Sequence, residues 1–158
     1  MAAGDTKIMA NVLEAWCKNT PAIDVDTDVL KVGLITNVTT PSNGDTDPCW
    51  GAGGAQNYST NEVAATGAYT AGGVTLASVV VAQSTTTVTI SATSPISWAA
   101  NAASPTNARW AIIYDNTTAN KEVVGYIDLG GVVSLVPGLQ ININGVSSGS
   151  QTLFTGST

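Results

Sequence analysis

Histidine is missing altogether, and only five of the 158 residues are basic. The first absence removes the usual proton shuttle near neutral pH and the imidazole that would complete a zinc site. The second excludes a basic run that neutralises phosphates, so nucleic-acid binding is not expected and acidic lipid surfaces are disfavoured. Charge of either sign is scarce, at 10% of residues against about 25% in an ordinary soluble domain. Eleven acids leave a net charge of −6. No apolar run reaches the roughly 18 residues of a membrane span. The start, Met1-Ala2-Ala3-Gly4-Asp5, lacks the basic and apolar segments of a secretory leader. Cys17 and Cys49 have no CxxC spacing and, without an export signal, are expected to stay reduced. No metal or cofactor is expected.

Thr, Ser, Asn and Gly stand where charge is missing. Their hydroxyls and amides can be covered by a neighbour without the desolvation cost of an ion. A chain of this length suits one domain, since about 150 residues bury roughly 68–70% of the unfolded surface. The stretch from Ala108 to Gly131 organises the rest. Ala108-Arg109-Trp110-Ala111-Ile112-Ile113-Tyr114-Asp115 and Val123-Val124-Gly125-Tyr126-Ile127-Asp128-Leu129 are rich in β-branched and aromatic residues. The polar gap between them reads as a hairpin loop. Two nearly continuous apolar strands need cover on both faces, which points to the centre of a β-sandwich.

Taken in order, residues 5–19 form the strongest helix candidate. Ile8, Met9, Val12, Leu13 and Trp16 share one face, Asp5 can cap the start, Glu14 can pair with Lys18, and Pro21 stops it. That face either packs on the sheet or serves as an arm against another subunit. The expected division is a helix or arm over 1–21 and a β-sandwich over 22–158. Asp24, Asp26 and Asp28 are spaced as in part of a calcium loop, but the glycine and distal glutamate are absent, so a solvated linker is expected. Val29–Val38 reads as a strand. Residues 39–61 form a long Gly-rich loop, in which Trp50 either tucks into the core or anchors a partner. Asp45 and Asp47 are read as an acidic turn rather than a cation site. Asn61–Thr66 reads as one helical turn. Val74–Ala82 and Thr86–Ala92 form a hairpin whose second strand has one dry face and one hydroxyl face. Leu139, Ile141 and Ile143 alternate with polar residues, and Thr152–Thr155 is a last short strand. The sum is mainly β, about seven strands at sandwich-like intervals, with an amino-terminal amphipathic helix.

Catalysis has little to work with. Glu62, Asp115, Glu122 and Asp128 are scattered, and nothing in the sequence sets two of them across a cleft as glycoside hydrolysis requires. Arg109, the one arginine, is expected to form a structural ion pair. The chain is not expected to be an enzyme.

An ordered series of segments resembles a family of small virion structural proteins of tailed bacteriophages, of the capsid-decoration or head-fibre kind. The matching pieces are Asp28-Val29-Leu30-Lys31-Val32-Gly33-Leu34-Ile35-Thr36, Glu62 with Gly67-Ala68-Tyr69-Thr70-Ala71-Gly72-Gly73-Val74-Thr75-Leu76, and Trp98. Ala108–Asp115 and Gly125-Tyr126-Ile127-Asp128-Leu129-Gly130 complete it. The series spans residues 28–130; Ala68 interrupts an expected Gly-Tyr pair, and the Cys49-Trp50 loop is longer than usual. The resemblance implies a non-enzymatic cement protein. It would be made in the host cytoplasm, sit on the capsid surface of the virion, bind the major capsid protein and associate with itself, first as a trimer. The alternative is a fibre component that binds a host glycan through Trp50 or Tyr58. Met9, Leu13, Trp16, Trp50 and Tyr58 are the expected partner contacts.

Overall fold

The structure is a computed structural model, and it describes residues 4–18, 23–92, 96–141 and 151–157. Its strands in chain order are β1 (Thr6–Ile8), β2 (Leu30–Ile35), β3 (Pro48–Cys49), β4 (Gln56–Asn57), β5 (Val74–Thr75) and β6 (Val80–Ser84). They continue with β7 (Thr87–Ala92), β8 (Ile96–Trp98), β9 (Ala108–Asp115), β10 (Val123–Val133), β11 (Leu139–Ile141) and β12 (Gln151–Ser157). One helix, α1 (Ala10–Cys17), follows β1, and a 3-10 turn covers Tyr58–Asn61.

The chain is mainly β, as the sequence indicates. A single seven-stranded sandwich is not how the described strands are distributed. They form a five-stranded sheet ordered β1-β10-β9-β2-β5, a three-stranded sheet β12-β7-β6, and two pairs, β11-β8 and β3-β4. The central hairpin is where the sequence places it: β9 and β10 pair antiparallel, and β2 lies along the other side of β9. From Trp110 to Asp115 every residue of β9 is buried. Such a run needs cover on both faces of the sheet.

Two glycines show what supplies that cover. Gly33 of β2 shares a face with Ile112 and Tyr126, because these residues stand opposite one another across the ladder. A Cβ on Gly33 would lie 2.5 Å from Cζ2 of Trp50, so the indole rests directly on the bare backbone. Residues 39–61 therefore roof this face. Gly125 adjoins Tyr126 and points the other way; there a Cβ would meet the Phe154 ring at 2.6 Å. The three-stranded sheet covers that second face, and the Thr6 hydroxyl donates to the Leu153 carbonyl where the layers meet.

The expected helix over 5–19 is shorter than the periodicity suggests. Thr6, Lys7 and Ile8 pair with Ile127, Tyr126 and Gly125 as an added strand, so α1 begins only at Ala10. Pairing with the exposed edge of β10 satisfies backbone groups that an added helical turn would leave to water. Met9 takes the cap position without a side-chain hydrogen bond, and Asp5 does not cap; its carbonyl accepts from the Asp128 N–H at 3.0 Å. Pro21, Ile143 and the loop after it lie outside the described residues. The strand from Val29 ends at Ile35, and Val38 stands exposed. The helical turn expected at 61–66 forms instead at Tyr58–Asn61, where the Asn57 side chain accepts the Ser59 N–H. β5 breaks away from the expected Val74–Ala82 strand and pairs with β2.

Candidate contact surface

Most polar residues that could do chemistry are used inside the fold. The Glu62 carboxylate accepts the Tyr69 hydroxyl at 2.8 Å and the Gly72 N–H at 2.5 Å. The Tyr69 oxygen accepts the Leu34 N–H, and the Tyr114 hydroxyl donates to the Gly72 carbonyl at 2.8 Å. Positive φ at Gly72 and Gly73, with the Val32 carbonyl pressed against Gly73, requires glycine in this turn. Glu62 and the Gly67–Gly73 segment are thus one clamp that ties the turn to β2 and β9. Burial, with the Glu62 charge behind it, pushes the Tyr114 phenol up to about 12.

Arg109 donates to Asp128 at 2.5 Å and lies over the Trp110 ring. Burial pushes the Asp128 carboxyl up, but the Arg109 hydrogen bond and charge and the Gly130 N–H outweigh it and hold it below its ordinary value. Asp45 accepts the Tyr58 hydroxyl and the Ser42 N–H. Asp115 is fully buried. One carboxylate oxygen accepts the Thr117 N–H at 2.7 Å, and the other has no donor. Burial pushes its pKa up; the Thr117 N–H opposes this, and the neighbouring Asp28 carboxyl adds to it. The Asp24–Asp28 segment is a tight turn, in which Asp28 accepts the Asp24 N–H at 2.7 Å and Asp24 accepts the Asp26 N–H at 3.2 Å. No three His, Cys, Asp or Glu side chains converge as metal ligands among the described residues. Cys17 is exposed and Cys49 buried, and both are free thiols.

The five expected contact residues do not lie together. Met9 and Tyr58 are fully buried, and Trp50 is nearly so, stacked on Tyr114 at 5.0 Å with 3° between the planes. These three are core residues and present no open surface to a partner in this fold. Gly33 is the signal that could have placed Trp50, since a glycine inside an apolar strand marks close approach by something bulky.

Leu13 and Trp16 remain at the surface and flank two grooves. Leu13 is 45% exposed and borders a groove of about 240 Å³ with Ile8, Asn43 and Phe154. Trp16, whose indole N–H donates to the Ile23 carbonyl at 3.2 Å, walls a second groove of about 320 Å³ with Ile23, Val25, Val81, Val88 and Ile90. Phe154 and Ile90 are directly paired across β12 and β7, so the grooves adjoin beneath one sheet. Val81 and Val88 carry the apolar lining out to solvent. The sequence indicates a dry face on β7; in the structure Trp16, Ile23 and Val25 line the groove against it.

No family model matches the chain, and no curated protein or solved structure is similar to it at a significant level.

Proposed function

We propose that this chain is a non-enzymatic capsid decoration protein of a tailed bacteriophage, which docks on the outer surface of the shell and binds across neighbouring major capsid subunits. The observation that carries the reading is the apolar surface on α1 and the β6–β7 hairpin, with Leu13 and Val88 each 45% exposed beside two adjoining grooves. Exposed apolar patches bordered by polar residues mark interaction sites, and the centres of such interfaces are depleted in charge. A second support is where the residues that carry the phage resemblance lie. Glu62, Gly72, Arg109 and Asp128 brace the fold, which suits a building block whose task is to hold shape under load. Self-association belongs to the same reading, with no membrane and no nucleic acid as partner. Trp50 and Tyr58, the aromatics offered for the glycan-binding alternative, are buried in this fold and lend it no support.

The test is binding to cognate capsids stripped of the protein. Leu13→Asp and Val88→Asp alter exposed side chains, so folding should survive. Each should weaken capsid binding by about tenfold or more, corresponding to at least about 1.4 kcal/mol. Undiminished binding of both variants would rule out this surface.

A further inference from the structure

β6 is the outer strand of the three-stranded sheet: one side pairs with β7, and no described strand pairs with the other. All five of its residues are exposed, including Val80 and Val81. An open edge presents unpaired N–H and C=O groups to any further strand. Proteins ordinarily guard such an edge with lysine, proline, a bulge or an inward charge. Val80-Val81-Ala82-Gln83-Ser84 has none of these, and its register with β7 runs unbroken from Val80↔Ser91 to Ser84↔Thr87. The neutrality extends well beyond the strand: no charged residue occurs between Glu62 and Arg109.

The chain as a whole carries −6, so two copies meeting through acidic surface repel one another. Along β6 they meet without charge. Antiparallel pairing about a two-fold axis centred on Ala82 sets Ala82 against its own counterpart. Val81 then faces Gln83, and Val80 faces Ser84, of the second copy. No like charges oppose, and the smallest side chain of the strand lies on the axis.

We propose that Val80–Ser84 is a self-association edge, through which two copies of this chain pair β6 to β6 and fuse their three-stranded sheets. The apolar faces bearing Val81 and Val88 then run on from one copy to the next, and the grooves beside Trp16 come to lie on one joined surface. Such an edge closes at two copies rather than the three that the phage resemblance implies. It depends on the edge and its neutrality alone, and stands whether or not the protein binds a capsid.

Sedimentation velocity of the full chain over a wide concentration range tests this, with circular dichroism confirming that each variant is folded. The wild type should form dimers. Ala82→Lys and Ala82→Glu should each be monomeric, because each sets like charges face to face on the axis. An equal mixture of the two should recover the dimer as a heterodimer. Should either variant fail to fold, Gln83→Lys and Gln83→Glu repeat the loss-of-pairing arm on the same edge. A monomeric wild type, a trimer indifferent to Ala82→Lys, open-ended aggregation, or a mixture that stays monomeric would each overturn the proposal.

Discussion

Replacing Trp50 with alanine separates a core tryptophan from a contact tryptophan. The indole is 3% exposed, stacked on Tyr114 and laid over the bare backbone at Gly33. Truncating a buried tryptophan to alanine costs about 3–5 kcal/mol, which already includes the stacked pair. Set against a total of roughly 5–15 kcal/mol, that is a large share of the stability. For a chain of this size each kcal/mol moves Tm by about 2–4 °C, so a fall of roughly 6–20 °C is expected. The loop should stay attached, because the Trp50 N–H to Lys121 carbonyl bond and the Gly51 N–H to Asn57 bond do not involve the indole. Urea unfolding followed by circular dichroism gives the magnitude, and a double-mutant cycle with Gly33→Ala gives the contact. With Trp50 present, the added methyl collides with the ring and should cost about 1–3 kcal/mol; in the Trp50→Ala background that cost should nearly vanish. A loss below about 1 kcal/mol for Trp50→Ala, or an equal cost of Gly33→Ala in both backgrounds, would refute the packing of the roof on the sheet.

Asp115 has a raised folded pKa. Its contribution is therefore fully present below the ordinary carboxylate range and is lost as pH rises from there through the folded value. In Asp115→Asn, whose amide can donate towards Asp28, this loss should disappear. Denaturant midpoints should show the variant at least as stable as the wild type at neutral pH, with any advantage shrinking in acid. Asp128 has the opposite sign, because its folded pKa is depressed and its contribution fades as pH falls. Arg109→Met should cost about 3–5 kcal/mol at neutral pH by stranding a buried carboxylate, and markedly less once Asp128 is protonated; an unchanged cost across that range would contradict the pairing. Thr85, at the β6–β7 turn, is β-branched with φ of 50°. Thr85→Gly should raise stability by roughly 0.5–1 kcal/mol, read as a higher denaturant midpoint, since Thr85 alone of the two loop residues has positive φ and a hairpin turn of that kind favours glycine at its first central position.

The central hairpin was legible because β9 is a long run of β-branched and aromatic residues, which only a sheet covered on both faces can bury. The far end of β10 was harder to place. The ladder slips between Asp128 and Val133, around Gly130 with φ of 80°, and pairing resumes beyond it. At the amino terminus Ile8 and Met9 suit a helical stripe, and only the open edge of β10, more than a hundred residues away, draws Thr6–Ile8 into a strand. Met9, Trp50 and Tyr58 are apolar or aromatic residues that suit a core or an interface equally well. What decides among them is where bare backbone and other side chains lie in space. Leu13 and Trp16 remain near the surface because α1 buries only one narrow side. The second groove depends on Ile23, Val25 and the β6–β7 hairpin meeting beside Trp16, a juxtaposition of segments more than fifty residues apart.

The most direct measurement heats cognate capsids with and without the bound protein and records the temperature at which DNA escapes. A higher release temperature with the wild type, and no rise with Leu13→Asp or Val88→Asp, is the expected result. Release at the same temperature whether or not the protein is bound would contradict a cementing role.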